Sequence, residues 1–181
     1  MTVQLPTVAQ ILNTAEAIGL NLTEADAVSF QGLLKPSIAA YNTVDAMADN
    51  LPPVRYPRTP GYRPTGEENT HNAWYIKTTV KGAPEGKLKG KTVVLKDNIM
   101  LAGVPMMNGA STLEGYMPEI DATVAERILD AGGTIVGKAH CEYFCLSGSS
   151  HTNATGAVHN PYKHGYSAGG SSSGSAVRTP R

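Results

Sequence analysis

From Thr7 to about Leu20, apolar residues recur at helical spacing (Val8, Ile11, Leu12, Ala15, Ile18), and Gly19 supplies a stop. Thr23 with Asp26 has the form of a helix cap with an acidic first turn. It leads into Val28, Phe30, Leu33 and Leu34 before Pro36, which is expected to interrupt. A third helix is predicted from Ser37 to Ala48. These helices would bury their apolar faces only against a partner, so residues 1–49 are read as a helical N-terminal region. Pro52, Pro53, Pro57, Pro60 and Pro64, with Arg55, Arg58 and Arg63 between them, mark an extended connector over residues 50–72.

Beyond the connector the period changes. Thr92-Val93-Val94-Leu95 is a short β-branched run bounded by turn residues, the signal of a buried strand. Asp121 or Thr123 opens a helix through Val124, Ala125, Ile128 and Leu129. Gly132-Gly133 ends it, and Thr134-Ile135-Val136 is the next strand. Strand, helix and strand with short links imply a crossover within an α/β sheet. The run from Glu142 to Leu146 is read as a helical turn or two.

Composition narrows the function. The 181 residues carry 15 basic and 15 acidic side chains, so nothing in the charge balance points to nucleic acid or an anionic membrane. No apolar run approaches the roughly 20 residues that cross a bilayer. The start, Met1 to Pro6, lacks the basic and then apolar pattern of a secretory signal, so a cytoplasmic location is expected. Cys141 and Cys145 are too few and too close for a disulfide framework. Together with His140, Glu142 and His151 they match no common zinc spacing.

The candidate chemistry lies in an ordered series. Leu95-Lys96-Asp97-Asn98 is followed by Gly137-Lys138, Gly148-Ser149-Ser150, Asn160-Pro161 and Gly169-Gly170-Ser171-Ser172. A Gly-Ser run alone is most often a flexible loop, and a phosphate-binding loop would need Gly-Lys-Ser/Thr and a following helix, neither of which is apparent. The series as a whole, from about Lys87 to Ala176, resembles the amidase signature family. That resemblance implies an α/β fold in which a mixed sheet is covered by helices, with residues 73–181 forming the N-terminal part of the core.

It also implies roles. Lys96, at the carboxyl end of its strand, would be the general base. Ser171, preceded by a cis peptide bond, would relay a proton from an attacking serine to Lys96. Asp97 and Asn98 would support Lys96 by hydrogen bonding. Phe144 and Leu146 would line the acyl pocket, while Gly148 and Ser149 would lie in the loop facing the substrate carbonyl. The reaction so implied converts a small carboxylic acid amide to acid and ammonia and requires no metal and no organic cofactor. Within the family, the long helical start resembles bacterial amidases associated with nitrile degradation, whose helical part contributes to dimer contacts. The amidase-like component of a glutamine amidotransferase that works on charged tRNA is the alternative. In relatives the attacking serine follows the bridging serine at a distance that falls past Arg181, so the chain is expected to be truncated and inactive alone. A non-catalytic amidase-like protein is the remaining reading. Pro180 is expected to stop any helix beginning after Ser172.

Overall fold

Thr7 and Thr23 each open a helix by the same device. In both, the threonine hydroxyl accepts from the backbone N–H three residues on, while the side chain of that residue accepts from the threonine N–H. The computed structural model describes residues 3–178. Helix α1 runs Val8–Ala17 and α2 Glu24–Asp45. They lie in the first of two compact units, which divide between Asn50 and Leu51.

The expected break at Pro36 does not occur, and α2 continues through it for 22 residues. Both Pro36 and Gly32, whose carbonyl loses its partner, lie on the exposed side of the helix. Water can satisfy that carbonyl there, and the ring meets no packed neighbour. Ala15 and Ala27 are buried between the helices, and Nε2 of Gln31 donates to the Pro6 carbonyl at 2.8 Å. Much apolar surface on α2 stays exposed, including Val28, Leu33 and Val44.

Among the described residues, the second unit holds strands β1 Trp74–Lys81, β2 Thr92–Lys96 and β3 Thr134–Ala139 and the α-helices α3 Thr123–Asp130 and α4 Ser173–Arg178. The strand order is β1-β3-β2, with β3 antiparallel to β1 and parallel to β2. The fold is therefore mixed α/β. β2, α3 and β3 form the crossover that their pattern predicts. β1 is an additional strand, and its buried positions include Trp74, Tyr75, Ile76, Thr78 and Val80.

The core gathers Tyr75, Ile76 and Val80 from β1, Leu95 from β2, Ile135 from β3, Ala125 and Leu129 from α3, and Leu101, Val104 and Met107 from the segment after β2. Burying a Leu or Ile side chain contributes about 1.5–3 kcal/mol, which outweighs the weak intrinsic stability of an eight-residue helix such as α3.

The proline-rich stretch is extended, and it is strapped to this unit by its arginines. Arg55 pairs with Glu126 and Asp130, Arg58 with Asp121, and Arg63 with Glu114. Of these, the Arg58–Asp121 pair, at 2.6 Å, is buried on both sides; the others are exposed and contribute little each. Asp121 also accepts from the Ala102 N–H at 2.8 Å, so it anchors the chain before α3 and does not cap it.

Two further expectations are revised. Glu142–Leu146 yields one 3-10 turn, Tyr143–Cys145, because Phe144 and Cys145 have φ of 45° and 61° and a helix cannot propagate through such residues. The glycine-serine tail does run into a helix, α4. Gly174 donates to the His140 carbonyl at 2.9 Å, and a Cβ on Gly174 would lie 2.3 Å from the Ala73 carbonyl oxygen. Tertiary contact, available only to glycine, thus starts a helix that propensity does not suggest. The expected stop at Pro180 lies outside the described residues. No helix among the described residues is long and apolar enough to cross a membrane.

Candidate active site

β2 and β3 end side by side, with Lys96 opposite Ala139, and the ladder continues one residue further through Asp97 N–H to the Ala139 carbonyl at 2.9 Å. Carboxyl ends of parallel strands are where α/β sheets expose polar groups. Successive residues there point to opposite faces, so Lys96 and Asp97 diverge.

Lys96 Nζ lies 2.8 Å from Ser171 Oγ, across 75 residues of sequence. The Gly170–Ser171 peptide bond is cis. Ser171 is held from both sides. Its carbonyl accepts from the Glu142 N–H at 3.1 Å, and the preceding Gly170 N–H donates to the Gly148 carbonyl at 3.0 Å. A Cβ at residue 170 would lie 1.9 Å from the Ser149 carbonyl oxygen, so only glycine fits.

Asp97 does not support Lys96. Its fully buried carboxylate turns inward, with Oδ1 2.9 Å from Lys138 Nζ and Oδ2 accepting from the N–H groups of Met107 and Asn108 at 2.9 and 2.8 Å. The alternation of the strand end dictates this, since Lys96 occupies the other face. Burial pushes the Asp97 carboxyl above its ordinary value, while Lys138 and the two N–H donors oppose the rise. Asn98 is exposed.

Sequence reasoning gave no role to Lys138, whose side chain is fully buried in β3. The available signal was a Lys flanked by Gly137 and Ala139 in an apolar strand, which needs a buried counter-charge. Glu142 was missed as well. Its buried Oε2 accepts from the N–H groups of His151 and Thr152 and from the Thr152 hydroxyl, which ties the 151–152 segment beneath the Ser171 loop.

His140, also buried, contacts the Asn72 carbonyl through Nδ1 at 2.8 Å and the Thr155 hydroxyl through Nε2 at 3.1 Å. Desolvation lowers its pKa to about 4, so the ring is neutral at physiological pH. Nδ1 then carries the proton and donates it to the Asn72 carbonyl.

The four residues expected around the substrate are divided in space. Gly148 and Ser149 pack against Gly170, through the carbonyl contacts that exclude a side chain at that position. Phe144 is exposed and meets Tyr143 edge to face at 5.2 Å, and Leu146 is 87% exposed.

The α/β sheet thus presents a lysine at the end of one strand to a serine on a glycine-rich loop. The Amidase family profile matches residues 61–179, and the chain belongs to that family. It is 54% identical to an enantioselective amidase of Rhodococcus rhodochrous over 114 residues, covering 62% of this chain and 22% of that protein. It is 47% identical over 107 residues to the A component of the glutamyl-tRNA(Gln) amidotransferase of Haloarcula marismortui, covering 59% of this chain and 25% of that one. The crystal structure of the corresponding component from Thermotoga maritima superposes with a TM-score of 0.53 at 30% identity, over 61% of this chain and 25% of that chain. The chain thus spans about a quarter of the length of these relatives.

Proposed function

We propose that this chain supplies the lysine and the bridging serine of an amide hydrolase that converts small aliphatic or aromatic carboxylic acid amides to acid and ammonia. The observation that carries the reading is the 2.8 Å contact between Lys96 Nζ and Ser171 Oγ. The contact serves proton transfer in either direction. As the neutral amine, Lys96 takes the proton of Ser171, and Ser171 takes that of an attacking serine, which family resemblance assigns to a segment past Arg181. Attack on the amide carbonyl gives a tetrahedral oxyanion held by backbone N–H groups of the glycine-rich loop. The relay then runs backwards, delivering the proton to the leaving ammonia, and water releases the acid. Gly148 and Ser149 approach the substrate carbonyl in this scheme, and Phe144 and Leu146 meet its acyl part.

The test is ammonia release from benzamide and propionamide, by this chain and by any longer product of its reading frame. Activity in the longer product that falls by about 10³-fold or more in Lys96→Ala and Ser171→Ala supports the reading. Undiminished rates in those variants overturn it.

The likeness to amidotransferase components supports a second reading, in which ammonia from glutamine passes to an acylated tRNA. Glutamate formed from glutamine, with no turnover of benzamide, selects it. Inactivity of every product toward both substrates leaves a non-catalytic amidase-like protein. The exposed apolar residues of α2 further support self-association through the first unit, and light scattering at the mass of a single chain would refute that part.

A further inference from the structure

Both cysteines point at one oxygen. Sγ of Cys141 lies 3.6 Å and Sγ of Cys145 3.3 Å from Oδ1 of Asn108. The two thiols thus share one acceptor. The turn that contains them explains this convergence. Cys145 N–H donates to the Glu142 carbonyl at 2.9 Å, folding residue 145 back toward 141, and Phe144 N–H donates to the Asn108 carbonyl at 3.1 Å. The proton relay from the attacking serine to Lys96 uses neither sulfur.

Cys141 is fully buried and Cys145 is partly exposed. A partly exposed thiol that converges with a buried one on a single acceptor is an arrangement in which an oxidised sulfur can be trapped as a disulfide before it is oxidised further. We propose that Cys141 and Cys145 form an oxidation site at which hydrogen peroxide produces one intramolecular disulfide.

The chemistry balances in two steps. The Cys145 sulfur attacks one peroxide oxygen, the O–O bond breaks, and water leaves, giving Cys145 sulfenic acid. The Cys141 sulfur then attacks the Cys145 sulfur. The S–S bond forms, hydroxide leaves, and the Cys141 proton converts it to a second water. The two electrons come from the thiols, and the peroxide is reduced to water. Burial pushes the Cys141 thiol well above its ordinary pKa, which leaves the first attack on peroxide to the partly exposed Cys145.

The site is placed to be felt at Lys96. A disulfide has no S–H, so oxidation removes both donors from Asn108 Oδ1 at once. The Asn108 backbone N–H holds Asp97, the residue that follows Lys96, and Asp97 pairs with Lys138. One residue therefore separates the thiol pair from the buried ion pair.

The experiment treats the reduced, folded chain with equimolar hydrogen peroxide, followed by intact mass, thiol titration and peptide mapping. Expected are loss of both thiols together, a mass lower by two hydrogens, a Cys141–Cys145 bridge within one peptide, and reversal by dithiothreitol. In Cys141→Ser, dimedone should capture a sulfenic acid at Cys145. In Cys145→Ser, loss of the Cys141 thiol should slow by roughly tenfold or more. The Asn108 side-chain amide resonances should move on oxidation of the parent. Bridges between chains, Cys145 oxidised beyond sulfenic acid while Cys141 stays free, or equal loss of Cys141 in Cys145→Ser would each overturn the proposal. The parent chain alone decides the first two, so a misfolded variant leaves the test intact.

Discussion

Acidification should unfold the second unit through His140 to a degree that can be worked out. In the folded chain the ring takes a proton only near pH 4, against 6.5 for a free imidazole, because it is almost wholly removed from water. Between those values the unfolded state binds more protons than the folded state, so stability falls as pH falls. The contribution is complete above about pH 6.5, declines from there to about 4, and changes no further below that. At about 1.4 kcal/mol per tenfold ratio, the full window corresponds to about 3 kcal/mol. Hydrogen bonding does not create the cost. On protonation Nε2 can donate to Thr155 Oγ1, whose own proton goes to Asn153 Oδ1 at 2.7 Å. Desolvation is what remains. The assay is urea unfolding from about pH 7.5 to about 4. It is read by fluorescence of Trp74, the single tryptophan and a buried residue of β1, in the parent and in His140→Asn. The parent should lose about 3 kcal/mol more than the variant over that range. Equal losses, or a His140 ring that titrates near 6.5 by NMR, would refute the reasoning.

Other outcomes follow from single contacts. Lys138→Met strands the Asp97 carboxylate in the core and should cost about 3–5 kcal/mol in urea unfolding, with Asp97→Asn/Lys138→Met costing less than the two single variants summed. A cost under about 1 kcal/mol for the single variant would show that the pair is not desolvated. Gly174→Ala forces α4 away from the Ala73 and His140 backbones and should lower stability by about 1–3 kcal/mol. An unchanged melting temperature would contradict the close approach. Thr23→Ala removes the reciprocal cap of α2 and should cost the first unit about 1 kcal/mol, seen as earlier loss of helical circular dichroism. A coincident melt would mean that the cap is redundant.

The legible parts of this chain are those where local pattern and tertiary demand agree. Thr92–Leu95, the helix through Leu129 and Thr134–Val136 show their period plainly, because the core takes one face of each. β1 was hidden by Lys77, Thr78 and Thr79, polar residues in mid-strand that interrupt its apolar alternation. Pro36 gave a correct local warning that an exposed position overrode. α4 has almost no propensity of its own and forms because Gly174 can touch two backbones. At the site, the Lys96–Ser171 pairing was legible only as a motif, since no periodicity relates residues so far apart. The Asp97–Lys138 pair was legible only as a lysine within an apolar strand, with nothing local to name its partner. Burial of a charge is decided by a partner in another strand, and a lysine in isolation reads as surface.

The divergence of Lys96 and Asp97 at the end of β2 has a consequence for how this sequence can change. One peptide unit hands its first side chain to Ser171 and its second to the interior, so the strand end is at once tool and foundation. Substitutions that loosen the interior near residue 97 or 138 would displace Lys96 without touching it. Substitutions that stiffen that interior would narrow the positions Lys96 can sample. Variation at this corner is therefore admissible mainly as compensated pairs.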